Sequence, residues 1–143
     1  MHVFSGRTTG RFHMVEITID ATGSAPAGAV WERYMDPSHW SHWATHIAEV
    51  EYPENRLSGG TSGRVEGPFW FQVDFDIVSV DELGWTWTWN AWWRRRSIGL
   101  TLKHGVASRP DGSRAWITVC GSPALVVPYV PLAKLALVRL VRR

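Results

Sequence analysis

Residues 70–93 read WFQVDFDIVSVDELGWTWTWNAWW. Phe71, Val73, Phe75 and Ile77 alternate with Gln72, Asp74 and Asp76. That period of two predicts a strand over Trp70–Val80. Asp81-Glu82-Leu83-Gly84 then turns the chain. Beyond the turn, Trp85, Trp87, Trp89 and Ala91 share one face, with Thr86, Thr88 and Asn90 on the other. A second strand therefore runs Trp85–Trp93. So short a turn permits only antiparallel pairing.

The same grammar continues on both sides. Downstream, Ile98, Leu100, Leu102, His104 and Val106 are in phase on a strand over Arg96–Ser108. Arg109-Pro110-Asp111-Gly112 is the strongest turn signal in the chain. Arg114–Cys120 follows, with Ala115, Ile117 and Val119 on one face and Trp116, Thr118 and Cys120 on the other. Pro131 fits the first turn of a terminal helix running towards Arg142. Upstream, Ser62–Glu66 and Ile47–Tyr52 read as short strands, and Phe12–Asp20 as a longer one. Between them lie a helix over Ala27–Met35 and a second from Pro37 through His46, with Asp36 as its candidate N-cap. Thr22, Gly23 and Ser24 read as a turn.

Composition bounds the answer. The chain has 143 residues and 45% apolar content, which is one globular domain. Its one cysteine, Cys120, leaves no internal disulfide. The first 15 residues show no secretory leader, so the expected address is the cytoplasm. Ala115–Ala133 carries no Asp, Glu, Lys or Arg, but Gly121, Pro123, Pro128 and Pro131 interrupt it. It reads as strand, turn and helix start, not as a membrane span. Charge is uneven: residues 1–90 hold 12 acids and 5 Lys/Arg, and residues 91–143 hold 1 acid and 10 Lys/Arg. Ten tryptophans exceed ordinary usage.

Strand, two helices, about six further strands and a helix excludes a parallel nucleotide-binding sheet. The expected fold is α+β: a curved antiparallel sheet of six or seven strands wrapped round a C-terminal helix, in one domain over residues 1–143. A cavity between sheet and helix is the expected by-product.

That order resembles the START / Bet v 1-like superfamily (SRPBCC), and within it the bacterial polyketide cyclase/dehydrase-like proteins. The residues that carry it are Ala25-Pro26 with Val30-Trp31, Asp36-Pro37 with Trp40 and Trp43, and Ile47, Val50 and Glu51. Gly60, Gly63 and Val65, then Trp85–Trp89, His104 and Val106, Asp111-Gly112, and Gly121 with Pro123 complete it. The resemblance spans about residues 14–142. It implies a helix-grip fold and a hydrophobic small-molecule partner, but no particular reaction. Ala21–Ser24 looks like a small insertion, and the terminal helix looks short for the family.

Several residues stand as site candidates. His104 shares the phase of Leu100, Leu102 and Val106 and could move a proton near neutral pH. Asp74 and Asp76 point the same way and could share a proton, but they lie opposite the better inward face. Trp85, Trp87 and Trp89 offer an indole wall to a planar or fatty guest. Phe75, Leu102, Trp116 or Ile117, and Trp43 are its supporting candidates, and strand phase admits only one of Trp116 and Ile117. Of His39, His42 and His46, only His42 and His46 stand four apart on one helix side, and zinc wants a third protein ligand, so neither a metal nor any other cofactor is expected. Trp92-Trp93 beside Arg94-Arg95-Arg96 suits anionic lipid head groups. No nucleic-acid-binding signature accompanies the charge. The spare apolar side of the last helix, Leu132, Leu135 and Val138, would also suit a second copy.

Three functions compete. The first is a pocket that binds an aromatic or polyketide-like molecule and cyclises or dehydrates it, with His104 as acid/base. The second is a carrier using the same pocket without chemistry. The third is a membrane-surface or interaction protein using the Trp92–Arg96 patch.

Overall fold

The computed structural model describes residues 2–9, 12–68 and 71–143, with side chains from Met14 onward. Trp70, the expected first residue of its strand, lies outside the described residues. Among the described residues, eight strands form one sheet: β1 His2–Thr9, β2 Phe12–Gly23, β3 Glu49–Glu51, β4 Ser62–Glu66, β5 Gln72–Asp81, β6 Thr86–Trp92, β7 Gly99–Arg109 and β8 Gly112–Gly121. Their order is β1-β2-β8-β7-β6-β5-β4-β3, and every pairing is antiparallel. β1 is the strand that sequence periodicity did not reveal. The helices are α1 Ala27–Met35, α2 Trp40–Trp43 and α3 Pro123–Leu140.

Local chemistry explains the departures from expectation. β2 does not stop at Asp20. Its inward phase of Ile17, Ile19 and Ala21 stays buried, and pairing with β8 continues to Gly23↔Ser113. Thr22 and Gly23, expected in a turn, are thus strand. A Cβ on Gly23 would sit 2.2 Å from the carbonyl oxygen of Val141, so only glycine lets the end of α3 approach here. The amide of Ala25 donates to the same oxygen at 3.0 Å. Arg33 of α1 donates to the carbonyls of Leu140 and Arg142, both at 2.6 Å. A guanidinium on the last carbonyls satisfies and neutralises a helix C-terminus.

The expected helix from Pro37 to His46 divides. Asp36 does cap it: its Oδ1 accepts from the Ser38 amide at 3.1 Å, opening a 3-10 turn over Pro37–His39. α2 then lasts only to Trp43. The Trp40 indole donates to the Tyr34 carbonyl at 2.8 Å, and a turn from Ala44 to Ile47 brings Ile47 into the core. Burial of Ile47 overrides helix continuation.

β5 carries a bulge. Ile77 pairs with Trp89, but Ser79 pairs with Thr88, so Val78 has no partner and is exposed. A bulge bends its strand and deepens local twist. It also flips the alternation, so Val80, not Ser79, faces the core.

α3 starts at Pro123, eight residues before the expected Pro131. Pro123 occupies the first turn after Ser122, where its missing N–H costs nothing. Pro128 and Pro131 lie inside the helix and free the carbonyls of Ala124 and Val127. Both those residues are exposed, where solvent-side carbonyls can turn outward. α3 is consequently 18 residues long. Val126, Ala133, Ala136, Leu137 and Leu140 are its buried side, packed over β2 and β8.

Candidate functional site

Between the concave face of the sheet and α3 lies a cavity of about 680 Å³. That is within the ordinary size of small-molecule sites. Trp87 and Trp89 on β6, Leu102 and His104 on β7, and Ile117 on β8 form its floor. Trp43 and His46 close one side, and α3 supplies Tyr129, Ala133 and Ala136 as its roof. The two alanines are small where the roof crosses the floor, which leaves the space open.

The cross-strand register assembles the floor. Trp87 is opposite His104, and Trp89 is opposite Leu102. Directly opposed side chains touch, and their diagonal neighbours are within reach of long ones. Trp87 therefore stacks on the His104 imidazole, with centroids 4.3 Å apart and planes 9° apart. Trp89, on the diagonal, donates its Nε1–H to His104 Nε2 at 3.0 Å. Nε2 is thus an acceptor, and the ring proton resides on Nδ1. That nitrogen donates to the Tyr34 hydroxyl oxygen at 3.2 Å. Burial holds the His104 imidazole at a pKa of about 3, so it is neutral near pH 7. Burial also pushes the Tyr34 phenol far above its usual range.

Phe75 points inward but lies behind the wall. It packs edge-on against Trp89 at 5.2 Å and stacks on Tyr52. Trp85 leaves the indole ladder. It takes a positive φ of 55° at the end of the β5–β6 turn and does not line the cavity. The ladder is Trp87 and Trp89, with Ala91 continuing it. Trp116 and Ile117 separate as strand phase requires. Ile117 is in the wall, whereas the Trp116 indole covers Gly105 on the convex face.

Asp74 and Asp76 are also on the convex face, outside the cavity. Asp74 pairs with Arg64 at 3.0 Å. Asp76 accepts from Ser62 at 2.6 Å and pairs with Arg96 at 2.7 Å. The Ser62 hydroxyl, and then Arg96, hold its carboxyl below the usual range. Neither carboxylate can reach a guest, because the sheet stands between.

Three polar groups stand in the wall. Trp43 Nε1, Trp87 Nε1 and His46 Nδ1 are buried without a hydrogen-bond partner among the described residues. His46 meets the Tyr129 ring edge-on at 5.9 Å. Burial depresses the His46 pKa and raises that of Tyr129 to about 12. Tyr129 was hidden because the prolines around it made its segment read as a turn. Tyr34 was hidden because it sits in the apolar stripe of α1, and sequence spacing gives no link to His104. Among the described residues, no three His, Cys, Asp or Glu side chains gather as a metal site.

No protein-family model matches the chain, and no curated protein matches it. Solved structures do. Ara h 8.0201 superposes with a TM-score of 0.68 at 12% identity, covering 88% of this chain and 95% of that one. CalU16 from Micromonospora echinospora gives 0.67 at 18% identity, covering 98% of this chain and 80% of that one. DynU16, a protein of the dynemicin biosynthetic locus, gives 0.67 at 16% identity; 88% of this chain matches 45% of that one. At these identities the likeness shows the fold.

Proposed function

We propose that this Bet v 1-like helix-grip chain binds an apolar small molecule between sheet and α3 and holds it without transforming it. The observation that carries the reading is the state of His104. It lies on the cavity floor, and both its nitrogens are spent on Trp89 and Tyr34; the other wall imidazole, His46, has an Nδ1 without a partner among the described residues, but burial lowers its pKa as well. A proton shuttle needs a free nitrogen and a pKa near the working pH. A group that is neutral down to about pH 3 and doubly bonded lacks both. The fold supports small-molecule binding as a class, and the wall supports an apolar guest with a flat part. A guest carrying a carbonyl or hydroxyl oxygen would relieve Trp43 Nε1 and His46 Nδ1, which have no partner among the described residues.

The test is native mass spectrometry of protein purified from its own host, together with titration by an environment-sensitive naphthalene dye. A retained apolar mass and saturable dye fluorescence are expected. Absence of both would overturn the reading. Turnover of a polyketone substrate that disappears in His104→Ala would replace binding with catalysis.

A further inference from the structure

The cavity opens beneath a continuous apolar surface. Phe71 is 47% and Trp93 38% exposed, and their rings stack at 5.7 Å. On α3, Val127 is 60%, Leu132 42% and Leu135 46% exposed. Ala124, Pro128 and Pro131 are exposed beside them. Positions 124, 127, 128, 131, 132 and 135 recur every three or four residues, so they form one stripe, and none of them is polar. Phe71, Trp93, Pro128 and Leu132 all belong to the cavity wall, so stripe and mouth are one surface. By length and composition α3 could cross a membrane, but its opposite side is fixed to β2 and β8. The helix is apolar towards both the sheet and the solvent.

Cations flank this surface. The Arg94 guanidinium lies 4.7 Å over the Trp93 ring. Arg96 covers Trp92 at 4.0 Å but is tied to Asp76. Arg94 and Arg95 are exposed and make no ion pair among the described residues. Segments 91–110 and 121–143, which carry the hairpin tip and the whole of α3, contain no Asp or Glu.

We propose that this face docks on an anionic phospholipid bilayer, with Phe71, Trp93, Val127, Leu132 and Leu135 entering the interface and Arg94 and Arg95 meeting the head groups. Aromatic and aliphatic side chains beside arginines are the composition that an interface of apolar tails and anionic heads favours. Docked this way, the mouth opens into hydrocarbon, and an apolar guest passes between bilayer and cavity without crossing water. The docking stands independently of what the guest is.

The test is co-sedimentation of the full chain with phosphatidylcholine vesicles, with and without phosphatidylserine. Binding to the anionic vesicles that weakens with added salt is expected. Arg94→Glu with Arg95→Glu should lower partitioning about tenfold or more. Val127→Ser with Leu135→Ser should also lower it while leaving dye binding in the cavity intact, since neither residue lines the wall. Equal binding to neutral vesicles, or none to either, would overturn the proposal. So would a concentration-dependent dimer, seen by sedimentation velocity, that disappears in Val127→Ser/Leu135→Ser while vesicles are ignored; the face would then belong to a second copy. Loss of dye binding by the unmodified chain would count against the cavity reading alone.

Discussion

Trp89 donates its indole N–H to Nε2 of His104 across the diagonal of the β6–β7 pair, at 3.0 Å. This one bond fixes the tautomer. It sends the ring proton to Nδ1, and from there into a hydrogen bond with Tyr34 of α1. Two strands and a helix are thereby joined through a single neutral imidazole, and Trp87 covers its face. The arrangement explains how a histidine can lie in so apolar a wall: each nitrogen has its partner, and no charge is buried.

The first prediction concerns acid. His104 has a folded pKa of about 3 against 6.5 for the free side chain. Between those values the unfolded chain binds the proton and the folded chain does not. Stability is therefore complete above about pH 7 and falls as pH drops, by up to about 1.4 kcal/mol per unit. His46, also depressed by burial, adds in the same direction. In His104→Gln the acid limb should be shallower by about one proton, though the variant is less stable at neutral pH. Urea unfolding at a series of pH values measures this. Parallel limbs in the two proteins would show that His104 is not the buried neutral group.

A second prediction concerns space. Ala133 and Ala136 are the small residues of the roof, both buried and both in the cavity wall. Ala133→Phe should fill the cavity from above. Dye affinity should fall tenfold or more while the melting temperature holds or rises, because added contacts replace empty volume. A large loss of stability with affinity retained would mean that the roof is tightly packed and the guest enters elsewhere.

A third prediction follows from the position of the carboxylates. Asp74→Asn and Asp76→Asn remove surface pairs with Arg64 and Arg96, which solvent screens. Guest affinity should not change in either variant or in the pair. A tenfold loss of dye binding would bring these residues back to the site.

Much of the architecture was legible because strand phase is robust. Alternation set Trp116 and Ile117 on opposite faces without saying which faced inward; the wall holds Ile117, with Leu102, and Trp116 is outside it. The failures have physical causes. Periodicity assumes a regular strand, and the bulge at Val78 inserts a residue that no alternation announces. Trp85 was grouped with Trp87 and Trp89 by spacing, but a positive φ turns it away. Pro128 and Pro131 read as breaks because proline costs a helix its hydrogen bonds; the exposed face of α3 tolerates them, since solvent-side carbonyls can turn outward there. The His104–Tyr34 contact joins residues 70 positions apart, beyond anything local spacing encodes.

The last prediction tests the facing of the sheet on which every other statement about the cavity rests. Gly105 pairs with Trp116 across β7 and β8, and both lie on the convex side. A Cβ at position 105 would come 2.2 Å from the six-membered ring of that indole. Gly105→Ala should therefore force Trp116 off its seat and cost roughly 1–3 kcal/mol, as overpacking does. In a Trp116→Val background the clash is gone, and the same substitution should be neutral or stabilising, since alanine is a better strand residue than glycine. A double-mutant cycle by urea unfolding gives the coupling. Dye affinity should be unchanged throughout, because the sheet separates Trp116 from the guest. If Gly105→Ala were harmless and instead abolished dye binding, position 105 would face the cavity. The alternation would then place His104 and Leu102 on the outside, and the floor of the site would have to be sought on the other face.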